Sequence, residues 1–201
     1  MQDRQTRMPY ALRSFVVCCA LTLTGKGALS ADFQLKGLTL GMDESAACGS
    51  AEVTDLQKTI DASSVAGIAM PASKCDVQVD SIAGFAPDGP LHLMFWKGRL
   101  VRVSARFEGM ELNAALSINA AIVQTYGKPN SHKKGPANSL LETWRNGTQR
   151  LEVESATGNG KYIGIFLSDS VGWAEFERVE ERVQKELAKQ ANQRQRGDLV
   201  N

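Results

Sequence analysis

The chain has 201 residues, with 23 basic against 22 acidic side chains and a formal net charge of +1. That length suits one domain of generous size or two small units sharing a core. The near balance of charge leaves no basic excess for phosphate contacts, which excludes nucleic acid as a partner.

Residues 1–30 read as a signal peptide. Arg4, Arg7 and Arg13 form a positive start, Ser14 to Thr24 (SFVVCCALTLT) forms an apolar run, and Ala28-Leu29-Ser30 resembles the small-x-small pattern before a cleavage site. Gly25 and Lys26 end the run well short of the roughly 20 apolar residues that span a bilayer. Cys18 and Cys19 lack the preceding small residue of a lipoprotein signal, so neither a lipid anchor nor stable membrane insertion is expected after cleavage. The expected location is periplasmic or secreted. The leader carries four of the basic residues and one of the acidic ones, so the remainder has 19 against 21, a net charge of −2.

The remainder also keeps only Cys48 and Cys75. In an oxidising compartment that pair reads as one disulfide, with two buried thiols as the alternative. Closing a loop of about 28 residues is worth roughly 3 to 4 kcal/mol on the chain-entropy account. His92 and His132 are the only histidines and neither has metal-ligand spacing, so no metal or cofactor is expected.

Phe33 to Leu40 alternates as a short strand, and Asp43 is placed to cap a helix bearing Val53, Leu56 and Ile60 on one face, weakened at Gly49. Residues 61–74 form a loop, and Cys75 to Ser81 returns to a strand pattern. Leu91 to Trp96, the break Lys97-Gly98 and Arg99 to Phe107 form a β-hairpin. A second helix runs through Leu112, Ala115, Ile118, Ile122 and Tyr126, capped by Gly127 and stopped by Pro129. After a polar loop over Asn130 to Asn138, Ser139 to Arg145, Asn146-Gly147 and Thr148 to Ser155 form a second hairpin, followed by a strand from Lys161 to Leu167. Trp173, Phe176, Val179, Val183 and Leu187 mark the stripe of an amphipathic helix from Val171 to Ala191, which is expected to pack on the domain through its first turns and fray beyond, with self-association or docking of a partner through the stripe as the alternative.

The order repeats. Gly41-Met42 with an acidic residue next corresponds to Gly109-Met110-Glu111, and Trp96-Lys97-Gly98 to Trp144-Arg145-Asn146-Gly147. The expected fold is α+β: two helix-plus-antiparallel-sheet repeats, over 31–108 (with an insertion of roughly 20 residues that includes Cys75) and 109–168, then a C-terminal helix and tail over 169–201.

The Gly-Met-acidic helix start, the two placed cysteines and the strand Leu91-His92-Leu93-Met94-Phe95-Trp96-Lys97-Gly98-Arg99-Leu100 resemble the tandem repeats of the β-lactamase inhibitor protein family. With the stretch Tyr126 to Pro129, the Gly-Met start is also similar to the small lipoprotein family of the outer-membrane barrel-assembly machine. The resemblance covers about residues 32 to 167. It implies helices backing one face of a sheet whose other, concave face meets a partner protein. The second unit lacks the cysteine pair, and no lipidation cysteine is present.

Strand alternation separates Leu91, Leu93 and Phe95 from His92, Met94 and Trp96. It places Val101, Val103, Ala105 and Phe107 in the core, with Arg102, Ser104 and Arg106 opposite. In the second hairpin Leu151 and Val153 point in and Glu152 and Glu154 point out, with Trp144 on the parity of Glu142. One open face therefore gathers Met94, Trp96, Arg102, Arg106, Trp144 and Glu152 as candidate partner-binding residues, because Trp, Met and Arg are enriched at interfaces. The alternative is that both tryptophans close the core edges. No nucleophile elbow, phosphate loop, H-E-x-x-H helix or C-x-x-C pair occurs, and no catalytic residue is nominated. The expected function is a non-enzymatic, exported protein-binding module, inhibitor-, immunity- or assembly-factor-like, whose partner is another envelope or exported protein. The alternatives are a module for a small molecule or cell-wall fragment, needing a deep apolar pocket, and a small hydrolase, needing His92 clustered with a carboxylate and a hydroxyl.

Overall fold

The computed structural model describes residues 32–61, 67–135, 139–156 and 161–198, so the segment read as a signal peptide lies outside the described residues. The chain order is β1 (Gln34–Leu35), β2 (Leu38–Thr39), α1 (Glu44–Cys48), β3 (Val53–Asp55), α2 (Leu56–Asp61), β4 (Ala72–Val77), β5 (Leu91–Trp96) and β6 (Arg99–Glu108). It continues through α3 (Leu112–Tyr126), β7 (Ser131–Lys134), β8 (Leu140–Asn146), β9 (Gln149–Ala156), β10 (Tyr162–Asp169) and α4 (Ser170–Asp198). The fold is α+β. Strands β3 to β10 form one antiparallel sheet in the order β3-β4-β5-β6-β10-β9-β8-β7, and β1 and β2 form a separate ribbon.

Each half of the large sheet follows a helix: α1 precedes β3 to β6, with α2 inserted after β3, and α3 precedes β7 to β10. The halves meet where β6 pairs with β10, Phe107 opposite Ile163 and Val103 opposite Leu167. The Gly-Met segments hold equivalent places ahead of α1 and α3. The Gly41 N–H donates to the Leu100 carbonyl and the Gly109 N–H to that of Lys161, both at 2.8 Å. The two Trp-bearing turns are not equivalent in this order, since one joins the third and fourth strands of its half and the other the second and third.

The helix expected from Asp43 to Ile60 is broken. Gly49 closes α1 at φ +57, a conformation that costs glycine nothing, and Val53 to Asp55 leave the helix to pair with Cys75 to Ser73. Asp43 makes no side-chain cap; its carboxylate pairs with Arg99 at 2.8 Å. The Cys48 to Cys75 disulfide ties the end of α1 to β4. The polar stretch expected as a loop after Pro129 contains the edge strand β7, which sits beside β8 with His132 opposite Glu142.

The sheet has two faces with different covers. Leu91, Leu93, Phe95, Leu100, Val103, Ala105, Phe107, Leu151, Val153, Ile163, Ile165 and Leu167 form a continuous core with Ala47 and Cys48 of α1 and Ile118 and Ile122 of α3. Burying each large apolar side chain there is worth about 1.5 to 3 kcal/mol, so this face holds most of the stability. The opposite face carries a smaller cluster of Trp96, Val101 and Ala72 under Phe176, Val179 and Val183 of α4 and Ile60 of α2. The apolar stripe of α4 is packed on the molecule's own sheet, as expected of its first turns, which takes that stripe away from the alternative of self-association, and α4 continues past it to Asp198.

A β-bulge sorts these residues. Trp96 pairs with Arg99 and Phe95 with Leu100, but Met94 pairs with Arg102, which leaves Val101 without a partner. The extra residue puts Val101 and Arg102 on the same face. Val101, expected in the helix-backed core, belongs instead to the cluster beneath α4. Its methyl group explains Gly172: a Cβ there would lie 2.6 Å from Val101 Cγ1, so only glycine lets α4 approach so closely.

Candidate partner-binding face

The face opposite α1 and α3 is built from cross-strand rows. One row runs Asp76, His92, Ser104, Phe166, Glu152, Thr143, and the next runs Lys74, Met94, Arg102, Ser168, Arg150, Arg145. The first α4 turns start at the end of β10, where the Asp169 carboxylate accepts the Gly172 N–H at 3.0 Å as an N-terminal cap. From there α4 covers Trp96 and Val101 and leaves a strip of β6, β10 and β9 open.

The six candidate residues are divided by this arrangement. Trp96 is buried under α4, its ring edge-on to Phe176 at 6.1 Å and its indole N–H donating to Glu175 Oε2 at 2.8 Å. Met94 is half-buried beside it. The expectation that Trp144 shares this face is corrected: it sits opposite Leu151 in the helix-backed core, and its indole N–H donates to the Gly127 carbonyl at 2.8 Å. Glu142 follows it inward, opposite Val153, where it accepts a hydrogen bond from the Asn119 amide and faces His132 at 3.2 Å. The physical reason is the two-residue turn, which makes even-numbered residues of β8 share a face with odd-numbered residues of β9.

Arg102, Arg106 and Glu152 do lie on the second face. Arg102 is held between two rings, 4.3 Å from Trp173 and 4.8 Å from Phe166, and desolvation by burial lowers its pKa against the raising influence of Glu152 and Glu177. Glu152 pairs with Arg150 at 3.0 Å. Arg106 is exposed, paired with Glu108 at 2.8 Å and stacked on Tyr162 at 5.4 Å. The Tyr162 phenol donates to Glu154, which raises its pKa; Glu154 also accepts the Ser139 hydroxyl at 2.6 Å. Sequence reasoning placed Glu154 on the face of the arginines but did not nominate Tyr162 and Phe166, because the strand from Lys161 to Leu167 was not assigned to faces. The alternation Tyr162, Gly164, Phe166 against Ile163, Ile165, Leu167 held that signal.

Beside the strip, Lys74, Asp76, His92, Met94, Arg102, Ser104 and Trp173 line a cleft of about 350 Å³. His92 Nδ1 lies 2.7 Å from Asp76 Oδ1, and Ser104 is the residue opposite His92 in register. The Ser104 hydroxyl, however, donates to the His92 main-chain carbonyl at 3.4 Å and not to its ring. The central-strand amides that could stabilise an oxyanion are engaged in the ladder. Elsewhere, a notch of about 220 Å³ is lined by Met110, Leu112, Ala115, Ala156, Lys161, Tyr162 and Ile163. That is below the roughly 300 to 1,000 Å³ of ordinary ligand pockets.

No family model, curated protein or solved structure matches the chain. The face must therefore be read from its own chemistry. Among the described residues no helix is long and apolar enough to cross a membrane, and no cluster of three or more His, Cys, Asp or Glu side chains is placed to hold a metal.

Proposed function

We propose that this is an exported, non-enzymatic protein-binding module that engages another envelope or exported protein through the second face of its sheet. The observation that carries the reading is the half-covered face: one side of the sheet is closed by α1 and α3, while the other leaves a strip beside α4 that carries the exposed Arg106 and the half-buried Tyr162, Phe166, Glu152 and Glu154. A rigid sheet displaying aromatic and arginine side chains on one face suits protein contact, where such groups dominate binding. The disulfide supports an oxidising compartment. The likeness to the inhibitor and barrel-assembly families points to the same face.

The test replaces Arg106 by Glu and Tyr162 by Ser together, both away from the core. Retention of a partner from periplasmic extract should fall at least about tenfold, equivalent to 1.4 kcal/mol, with the melting temperature unchanged. Undiminished retention would sink the reading. A second reading, a small hydrolase, is favoured by Asp76, His92 and Ser104 sharing one cleft. It predicts ester hydrolysis that disappears in Ser104→Ala.

A further inference from the structure

Arg102 is a half-buried cation of the second face that no ion pair holds among the described residues. Among the described residues its contacts are the Phe166 and Trp173 rings, and no hydrogen-bond acceptor engages its guanidinium. Glu152, the nearest carboxylate in its row, is already paired with Arg150 at 3.0 Å. Lys74 lines the same cleft with an exposed side chain and no ion pair among the described residues. The one carboxylate that lines it, Asp76, is held by His92 at 2.7 Å. Two rings thus hold the guanidinium at a cleft whose one carboxylate is already engaged by a histidine. A planar fork so held matches a carboxylate in two parallel hydrogen bonds, geometry that a lysine cannot supply. Met94 and Trp173 add apolar surface to the cleft that carries this charge.

We propose that the Arg102 cleft receives an acidic side chain of the bound partner, its carboxylate forked onto the guanidinium with Lys74 alongside and an apolar neighbour against Met94 and Trp173. This rests on the reading of the second face as a protein-binding surface, and it adds the chemistry of the residue recognised. A volume of about 350 Å³ admits a side chain with part of its flanking peptide.

The probe is the blocked tripeptide acetyl-Leu-Glu-Leu-amide, titrated into the isotopically labelled protein while the Arg102 Nε–Hε and Trp173 indole resonances are followed. Both should shift, saturating near about 1 mM, and the glutamine isostere should bind at least about tenfold more weakly. Arg102→Gln should remove the response, and Arg102→Lys, which keeps the charge and α4 packing, should weaken it about tenfold. Melting curves for both variants separate lost binding from lost folding. Equal response to the two peptides, no response at about 10 mM, a response surviving in Arg102→Gln, or the same shifts from inorganic phosphate would each overturn the proposal. If the tripeptide fails while Arg106→Glu with Tyr162→Ser still abolishes partner retention, the carboxylate site falls and the binding face stands. If the tripeptide binds while that double variant retains its partner, the site stands and the wider reading falls.

Discussion

Hairpins β5–β6 and β8–β9 both close through two-residue turns, and each carries a tryptophan on the face of its closing pair, Trp96 opposite Arg99 and Trp144 two residues ahead of Asn146 opposite Gln149. In β8–β9 that face is the helix-backed core, and the ladder runs on without interruption. In β5–β6 it is the second face, because Phe95, Leu93 and Leu91 occupy the other parity. An uninterrupted ladder there would then set Arg102, Ser104 and Arg106 against the core. The bulge at Val101 prevents this by advancing the register one residue, so that Val103, Ala105 and Phe107 point in. One inserted residue decides which surface is sealed and which can meet a partner.

Trp144→Ala breaks the comparison most severely. It should cost about 3 to 5 kcal/mol and leave the Gly127 carbonyl without its donor, lowering the midpoint of denaturant unfolding across all probes. Trp96→Ala sharpens the contrast: its smaller loss should fall on α4, seen as faster amide exchange in residues 173–183 while β9 and β10 remain protected. Gly172→Leu wedges α4 away from Val101 and should cost about 1 to 3 kcal/mol, again confined to α4.

The smallest effect is set by pH. Hydrogen bonds from Lys97 first and the Trp96 indole second hold the exposed Glu175 carboxyl below its ordinary pKa. A carboxyl whose folded pKa is lowered lends stability that is fully present above its unfolded value, about 4.3, and is lost as pH falls through the folded value. The exchange protection of α4 should therefore weaken on acidification from pH 6 toward pH 3, and Glu175→Gln should flatten that dependence.

The hairpins, α3 and the disulfide were legible because each rests on local chemistry: Lys97-Gly98, helix spacing ended by Gly127, and two cysteines left after the leader. The turn of the second hairpin was one residue off, since Asn146 pairs with Gln149 and the loop is Gly147-Thr148. The true face of Trp144 was also legible, since any two-residue turn pairs even positions with odd ones. The same arithmetic applied to Lys97-Gly98 conflicts with the apolar pattern of β6, and that conflict is the signature of the bulge beside the doublet Leu100-Val101. Other features were not legible. β7 is a polar edge strand whose partner, β8, alone defines it. The packing of α4 on the domain was readable from its stripe, but its close approach depends on the clearance at Gly172, which sequence periodicity does not encode. The open strip was half visible, with Arg102, Arg106 and Glu152 correctly placed and their β10 neighbours overlooked.

Site-specific photo-cross-linking in the periplasm tests the central claim most directly. A photoreactive residue at position 106, on the open strip, is compared with one at position 113, on the outer surface of α3. The account predicts a discrete adduct with another exported protein from position 106 and none from position 113. Adducts from position 113 alone, or equal labelling from both, would contradict it.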